Sequence, residues 1–144
     1  MKLFTIGYEG LKIDEFIIKL KENGVRELID VRELPLSRKK GFSKTNLKDN
    51  LTLAHIDYWH LKEFGSPKPL RKKLYQDGDY VSFFKEYNLY LTNKEEVLEK
   101  LCDEIRKKTC CIMCFEKNPE KCHRSVLIKK ITEVDKNGLK IVNI

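Results

Sequence analysis

Apolar positions along this 144-residue chain follow two rhythms that take turns. Short and almost continuous apolar runs at Leu3–Gly7, Glu27–Val31, Ile56–His60, Thr109–Phe115 and Leu139–Val142 read as strands. Such runs suit strands that are covered on both faces. Between them the spacing changes to that of a helix. Ile13, Phe16, Ile17 and Leu20 mark one face, closed by Asn23-Gly24. Ser43 or Thr45 is placed to cap a short helix carrying Leu47, Leu51 and Ala54. Asp79 is placed to cap a helix with Tyr80, Phe83, Phe84, Tyr87 and Leu91 on its face. Asn93 with Glu96 resembles a capping box ahead of Val97, Leu98, Leu101 and Ile105. Leu127, Ile128, Ile131 and Val134 give the last helix. Pro35–Phe42 and Phe64–Leu70 read as loops.

Strands alternating with helices predict an α/β fold. The expectation is a single domain over residues 1–144: a three-layer sandwich with a mostly parallel, Rossmann-like open sheet. The helical stretch from about 70 to 108 is too long for one crossover and reads as an insertion flanking the sheet.

Composition narrows the setting. No segment approaches the roughly 18 apolar residues of a membrane span, and the chain opens directly on a strand-like segment, so a cytoplasmic protein without a membrane partner is expected. Five cysteines, three of them between 110 and 114, argue for reduced thiols rather than a disulfide framework. A net charge of +7 admits anionic partners, nucleic acid among them, and equally a solvated lysine-rich surface.

The densest chemistry is Cys122-His123-Arg124, after an apolar run and the polar turn Glu116–Lys121. It falls where the last helix begins, so unpaired N–H groups, the helix dipole and Arg124 converge on one point. Cys122 reads either as a thiolate nucleophile or as a small residue wedged under the loop. In a parallel sheet ligands sit beyond the carboxyl ends of the strands. Those ends carry Gly7 and Tyr8, then Asp30 and Arg32, then His60, then Glu116. Asp30 and Arg32 share a side of their strand, and either pair with each other or reach one ligand. Ser37 and Arg38 extend this edge on a basic loop, where Arg38 is suited to clamp a phosphate or carboxylate.

Cys111 and Cys114 form C-x-x-C, but on a strand they point to opposite faces, and the turn between them lacks glycine. No metal is expected there, and a set drawn from Cys114, Cys122 and His123 is the remaining metal alternative. No P-loop and no G-x-G-x-x-G occur, and no cofactor is expected. Most aromatics, spaced as core residues, read as packing, while Tyr8 is the one placed to face a ligand.

Thr5-Ile6-Gly7-Tyr8, Asp30-Val31-Arg32 with Pro35 and Ser37-Arg38, Phe64-Gly65, and Cys114-Phe115-Glu116 with Pro119 and Cys122-His123-Arg124 together resemble the family called domain of unknown function 488. Its members typically show D-V-R-x-x-P-x-S-R and C-x-E-x-x-P-x-x-C-H-R. Glu9 stands where serine or threonine is usual, and Phe64 where leucine is common. The resemblance implies a compact cytoplasmic α/β domain of bacteria and archaea whose motif blocks form one pocket. It implies no reaction.

The resulting expectation is an enzyme-like domain that binds an anionic small molecule (nucleotide, nucleobase or phosphate-bearing group) at the carboxyl edge of the sheet. Asp30, Glu116, Cys122 and His123 are the catalytic candidates. Gly7, Tyr8, Arg32, Ser37, Arg38 and Arg124 are the ligand-binding candidates. A nucleic-acid-binding module and a cysteine-based redox or metal protein are the alternatives, and the oligomeric state is open.

Overall fold

The computed structural model describes residues 1–144. Strands β1 (Lys2–Gly7), β2 (Glu27–Asp30), β3 (Asp57–His60), β4 (Cys110–Cys114) and β5 (Lys140–Asn143) form one all-parallel sheet in the order β3-β2-β4-β1-β5. The alternation along β4 divides the core. Cys110, Ile112 and Cys114 face one side, and Cys111 and Met113 the other. The Met113 side is covered by helices α1 (Ile13–Glu22) and α2 (Lys44–Leu53) through Phe16, Leu20, Leu47 and Leu51. Over the other side lie α4 (Tyr80–Leu91), α5 (Glu95–Lys107) and α6 (Arg124–Val134), burying Tyr87, Leu101, Ile105, Leu127 and Ile131. This is a Rossmann-like three-layer sandwich, as the alternation of elements predicts. No helix is long and apolar enough to cross a membrane.

The order of the strands sets the site. From β1 the chain passes to β2, two places along the sheet, and out to β3. It returns to lay β4 in the gap between β1 and β2. Register brings Gly7 opposite Cys114 and Asp30 opposite Met113, so the carboxyl ends of β1, β4 and β2 finish together. A change of direction like this opens a crevice above the strand ends.

Several boundaries differ from the sequence pattern. Helix α3 (Lys68–Asp77) starts inside the stretch expected to be loop, with Pro69 in its first turn, where a missing N–H costs nothing. It buries no residue of its own and packs on α4. The helices between 68 and 107 flank the sheet as expected: α4 and α5 form part of the layer over it, and α3 lies at the margin with Leu70 packed against the same core. Asp79 caps α4, accepting from Ser82 N–H at 3.0 Å. No capping box forms at Asn93; α5 follows Lys94, which makes no side-chain cap. Ser43 sits at the N-cap of α2, but its hydroxyl turns to the Ser37 backbone instead, donating to the carbonyl and accepting from the N–H, each at 3.0 Å.

Candidate functional site

A cleft of about 360 Å³ lies above the ends of β1, β4 and β2, walled on one side by α3. Tyr8 follows β1, Arg32 and Glu33 follow β2, and Cys114 closes β4, with Phe115 and Glu116 leading away from it. Ser37 comes from the basic loop, Ser66 and Arg71 from the approach to α3 and its first turns, and His123 from the residue before α6. This size falls within the range of small-molecule pockets.

Asp30 and Arg32 form the base of one wall. Asp30 Oδ1 accepts from Arg32 Nε at 2.9 Å, and Oδ2 accepts from Nη2 at 2.7 Å. Two further donors reach the same carboxylate, Arg32 N–H at 3.1 Å and the Tyr58 hydroxyl at 2.6 Å. Arg32 Nη1 donates to the Phe42 carbonyl at 2.8 Å and lies 3.3 Å from Tyr8 Oη. Burial works against the Arg32 charge, but the Asp30 carboxylate outweighs it and holds the guanidinium above its ordinary range. Burial, and after it the same carboxylate, push the Tyr58 phenol well up. Asp30 is wholly buried and is not part of the cleft lining. Of the two arrangements the sequence allows, the internal pair forms. The pair fixes the Arg32 guanidinium, whose Nη1 lies beside Tyr8.

Behind the cleft floor is a second polar group. Cys122 is extended, His123 takes the N-cap position, and Arg124 opens α6, so only Arg124 of the three lies within the helix. His123 Nε2 lies 3.1 Å from the Val31 carbonyl. A carbonyl only accepts, so Nε2 carries the proton and Nδ1 keeps a lone pair. Nδ1 lies 3.7 Å from Cys122 Sγ. Burial holds the imidazole below its ordinary range and the Cys122 thiol above its own. Arg124 is 1% exposed. Its guanidinium donates to Cys114 Sγ and to the Glu116 and Lys117 carbonyls. Arg124, expected from the sequence to bind a ligand, ties the Glu116 loop to α6 and is absent from the cleft lining. Cys122, packed at 1% exposure behind Cys114, is likewise absent from the lining.

Gly7 is also structural. A Cβ there would overlap the Glu116 carbonyl and come within 2.8 Å of Lys117 N, so only glycine lets the loop after β4 lie on the end of β1. Glu9 holds the same loop, accepting from Lys117 N–H at 3.1 Å. Tyr8 lines the cleft with its ring stacked on Phe42 at 4.5 Å. Ser37 lines it as well, while Arg38 is exposed on the loop outside it. Glu116 lines the cleft, half-buried.

Sequence reasoning missed Arg71, Glu33 and Ser66, and the place of Cys114 beneath the cleft, where it is 1% exposed. Arg71 Nη2 lies 3.0 Å from Glu33 Oε1, and Nη1 donates to the Ser66 carbonyl. At 28% exposed, Arg71 is the open cation of the lining; Arg32 is 7% exposed and engaged by Asp30. The signal for Arg71 was weak, because Ser66-Pro67-Lys68-Pro69 reads as a loop and hides the start of α3. Cys111 and Cys114 do face opposite sides of the sheet, so C-x-x-C brings no two sulfurs together. The Cys114 and Cys122 sulfurs and a Glu116 carboxylate oxygen, however, lie within 4.8 Å of one another, a grouping with the donor types of a metal site. The Arg124 guanidinium already stands against the Cys114 sulfur in the place a cation would take, so these residues do not fit a resident metal.

The family model described as "Domain of unknown function DUF488" matches residues 12–131. That span takes in the D-V-R and C-H-R blocks and leaves Gly7 and Tyr8 just outside. No curated protein and no solved structure matches the chain.

Proposed function

The chain belongs to the family described as domain of unknown function DUF488, and from that premise we propose that its cleft binds a small anionic molecule, a nucleotide, nucleobase derivative or other phosphate-bearing group. One observation carries the reading. Arg71 presents a partly open guanidinium to a cleft of small-molecule size, flanked by the hydroxyl-bearing Ser37 and Ser66. A guanidinium fork matches carboxylate and phosphate oxygens with two parallel bonds. The net charge of +7 draws anions toward the protein. Phe115, 47% exposed, offers an aromatic surface on which a base would pack. Glu116 is the carboxylate of the lining free to act as a general base, since Glu33 is engaged by Arg71. Arg38, exposed on the basic loop outside the lining, adds positive charge near the cleft. Asp30, Arg124 and Gly7 position these groups.

The functional groups gather in one cleft rather than spreading over a face. That favours a small molecule over a nucleic-acid strand. Thermal melts with inorganic phosphate and with adenosine monophosphate test the reading. Ligand at a hundredfold excess over its Kd adds about 2.7 kcal/mol of stability. A saturable rise in melting temperature is expected for the wild type and is expected to vanish in Arg71→Ala. An equal rise in both proteins counts against the cleft.

A further inference from the structure

We propose that the ligand of the cleft is an anion carrying an apolar or aromatic body, its charged end on Arg71 and its body across Leu34, Leu36, Tyr75 and Phe115. The inference rests on the reading that the cleft binds a small anionic molecule, and it narrows that class. Inorganic phosphate and sugar phosphates lack the part that these four side chains recognise and bind more weakly.

The distribution of exposed apolar surface points there first. Ten large apolar side chains stand exposed on this protein. Single ones are ordinary on a soluble protein, whereas a group around one opening marks a binding site. Four of the ten line this cleft, and the others are scattered over α1, α2, α4, α6 and the start of the chain.

Within the lining the usual order is reversed. Every polar side chain of the cleft is buried or half-buried, Arg71, Ser37, Ser66 and Glu116 among them, while Leu34, Leu36, Tyr75 and Phe115 are exposed. Polar groups inside and apolar groups outside suit a molecule that enters charged end first and leaves its apolar body at the mouth.

The fold holds the four side chains in place. Leu34 and Leu36 flank Pro35, whose carbonyl accepts from Lys44 N–H at 2.8 Å. The Ser43 hydroxyl then ties down the backbone of Ser37 through both its N–H and its carbonyl. The loop is thus anchored on either side of Leu36. Tyr75 follows Arg71 by one helical turn, so the two share a face of α3, and both line the cleft. The Phe115 carbonyl accepts from Glu9 N–H at 2.9 Å, which sets the loop after β4 against the end of β1. Three separate segments therefore bring apolar groups to one opening. A stable interface with a second copy takes about 20–30 residues from each partner, far more than these four, whereas a small molecule needs no more.

Calorimetric titration with inorganic phosphate, glycerol phosphate and phenyl phosphate tests the inference. The two esters carry the same anionic group on a polar and on an apolar body. Wild type is expected to bind phenyl phosphate at least about tenfold more tightly than glycerol phosphate, since each buried methylene equivalent is worth about fourfold. A protein with both Leu36→Ser and Tyr75→Ser is expected to lose that preference and to keep its affinity for inorganic phosphate. Those side chains are 73% and 86% exposed, so neither supports the core. Arg71→Ala is expected to lose all three ligands. Equal binding of the two esters by wild type, or a preference that survives in the double variant, would overturn the inference, while phosphate binding that depends on Arg71 would leave the anion reading standing. Phenyl phosphate bound equally well by Arg71→Ala, or no probe bound at all, would overturn both. A concentration-dependent dimer in sedimentation, abolished in the double variant, would give the apolar group to a second copy and overturn the inference alone.

Discussion

Glu33 and Arg71 meet at 3.0 Å across the mouth of the cleft, although 38 residues separate them in the chain. Glu33 follows the end of β2, and Arg71 lies in the first turns of α3, so the pair joins the sheet edge to the one helix that buries no residue of its own. Both side chains are partly exposed, at 21% and 28%. An ion pair of that exposure contributes about 0–1 kcal/mol. Glu33 therefore competes with an incoming anion for Arg71 more than it holds the fold. Glu33→Gln is expected to tighten phosphate binding by a few-fold and to move the denaturation midpoint little. Calorimetric titration and urea unfolding of the same variant read the two effects separately, and weaker phosphate binding would assign the pair to structure alone.

Asp30 has the opposite balance. It is wholly buried and accepts four hydrogen bonds, three of them from Arg32. Asp30→Ala leaves the Arg32 charge without its partner, and breaking a buried pair costs about 3–5 kcal/mol. Urea unfolding is expected to show a loss of that size. A loss below about 1 kcal/mol would mean that water or a loop shift readily compensates Arg32, against the account of a rigid wall.

Gly7→Ala places a methyl group onto the Glu116 carbonyl. The loop from Phe115 to Lys117 has to move, and overpacking of this kind costs about 1–3 kcal/mol. Amide resonances of Glu9, Glu116 and Lys117 are expected to shift strongly, those of the distant β5 hardly at all, and anion binding to weaken with them. Unchanged Glu116 and Lys117 resonances would contradict the close packing of this loop on β1.

His123 sets a pH limit. Burial holds its folded pKa below the ordinary 6.5, so the folded protein resists taking the proton that the unfolded chain accepts. Above about pH 6.5 the group contributes nothing to pH dependence. As pH falls through that value stability declines, by at most about 1.4 kcal/mol per unit from this one group. His123→Gln, able to keep a donor toward the Val31 carbonyl, is expected to flatten the decline below about pH 6.5. An identical slope in both proteins would mean that His123 is readily protonated in the fold.

The strands and their sense were legible because each apolar run is short and bounded by polar turns, and because both faces of the sheet are covered. The carboxyl edge was legible for the same reason: Tyr8, Arg32 and Glu116 follow strand ends, His123 takes the N-cap position of α6, and all four line the cleft. The roles within that edge were less visible. Whether Asp30 and Arg32 face each other or a ligand depends on Tyr58 and Phe42, which lie far off in sequence and complete their bonds. Arg124 looked like an anion clamp because a helix start invites that reading. Its length carries the guanidinium past the helix end to the loop carbonyls instead. Arg71 was hidden because two prolines mark a loop in sequence but also suit the first turn of a helix.

The claim that the cleft is an anion site is tested most directly by following backbone amides while inorganic phosphate or adenosine monophosphate is titrated into the wild type. The account predicts saturable shifts concentrated at Ser37, Ser66, Arg71 and Glu116, and their loss in Arg71→Ala. Shifts scattered over exposed lysines, growing linearly without saturation and persisting in Arg71→Ala, would contradict it.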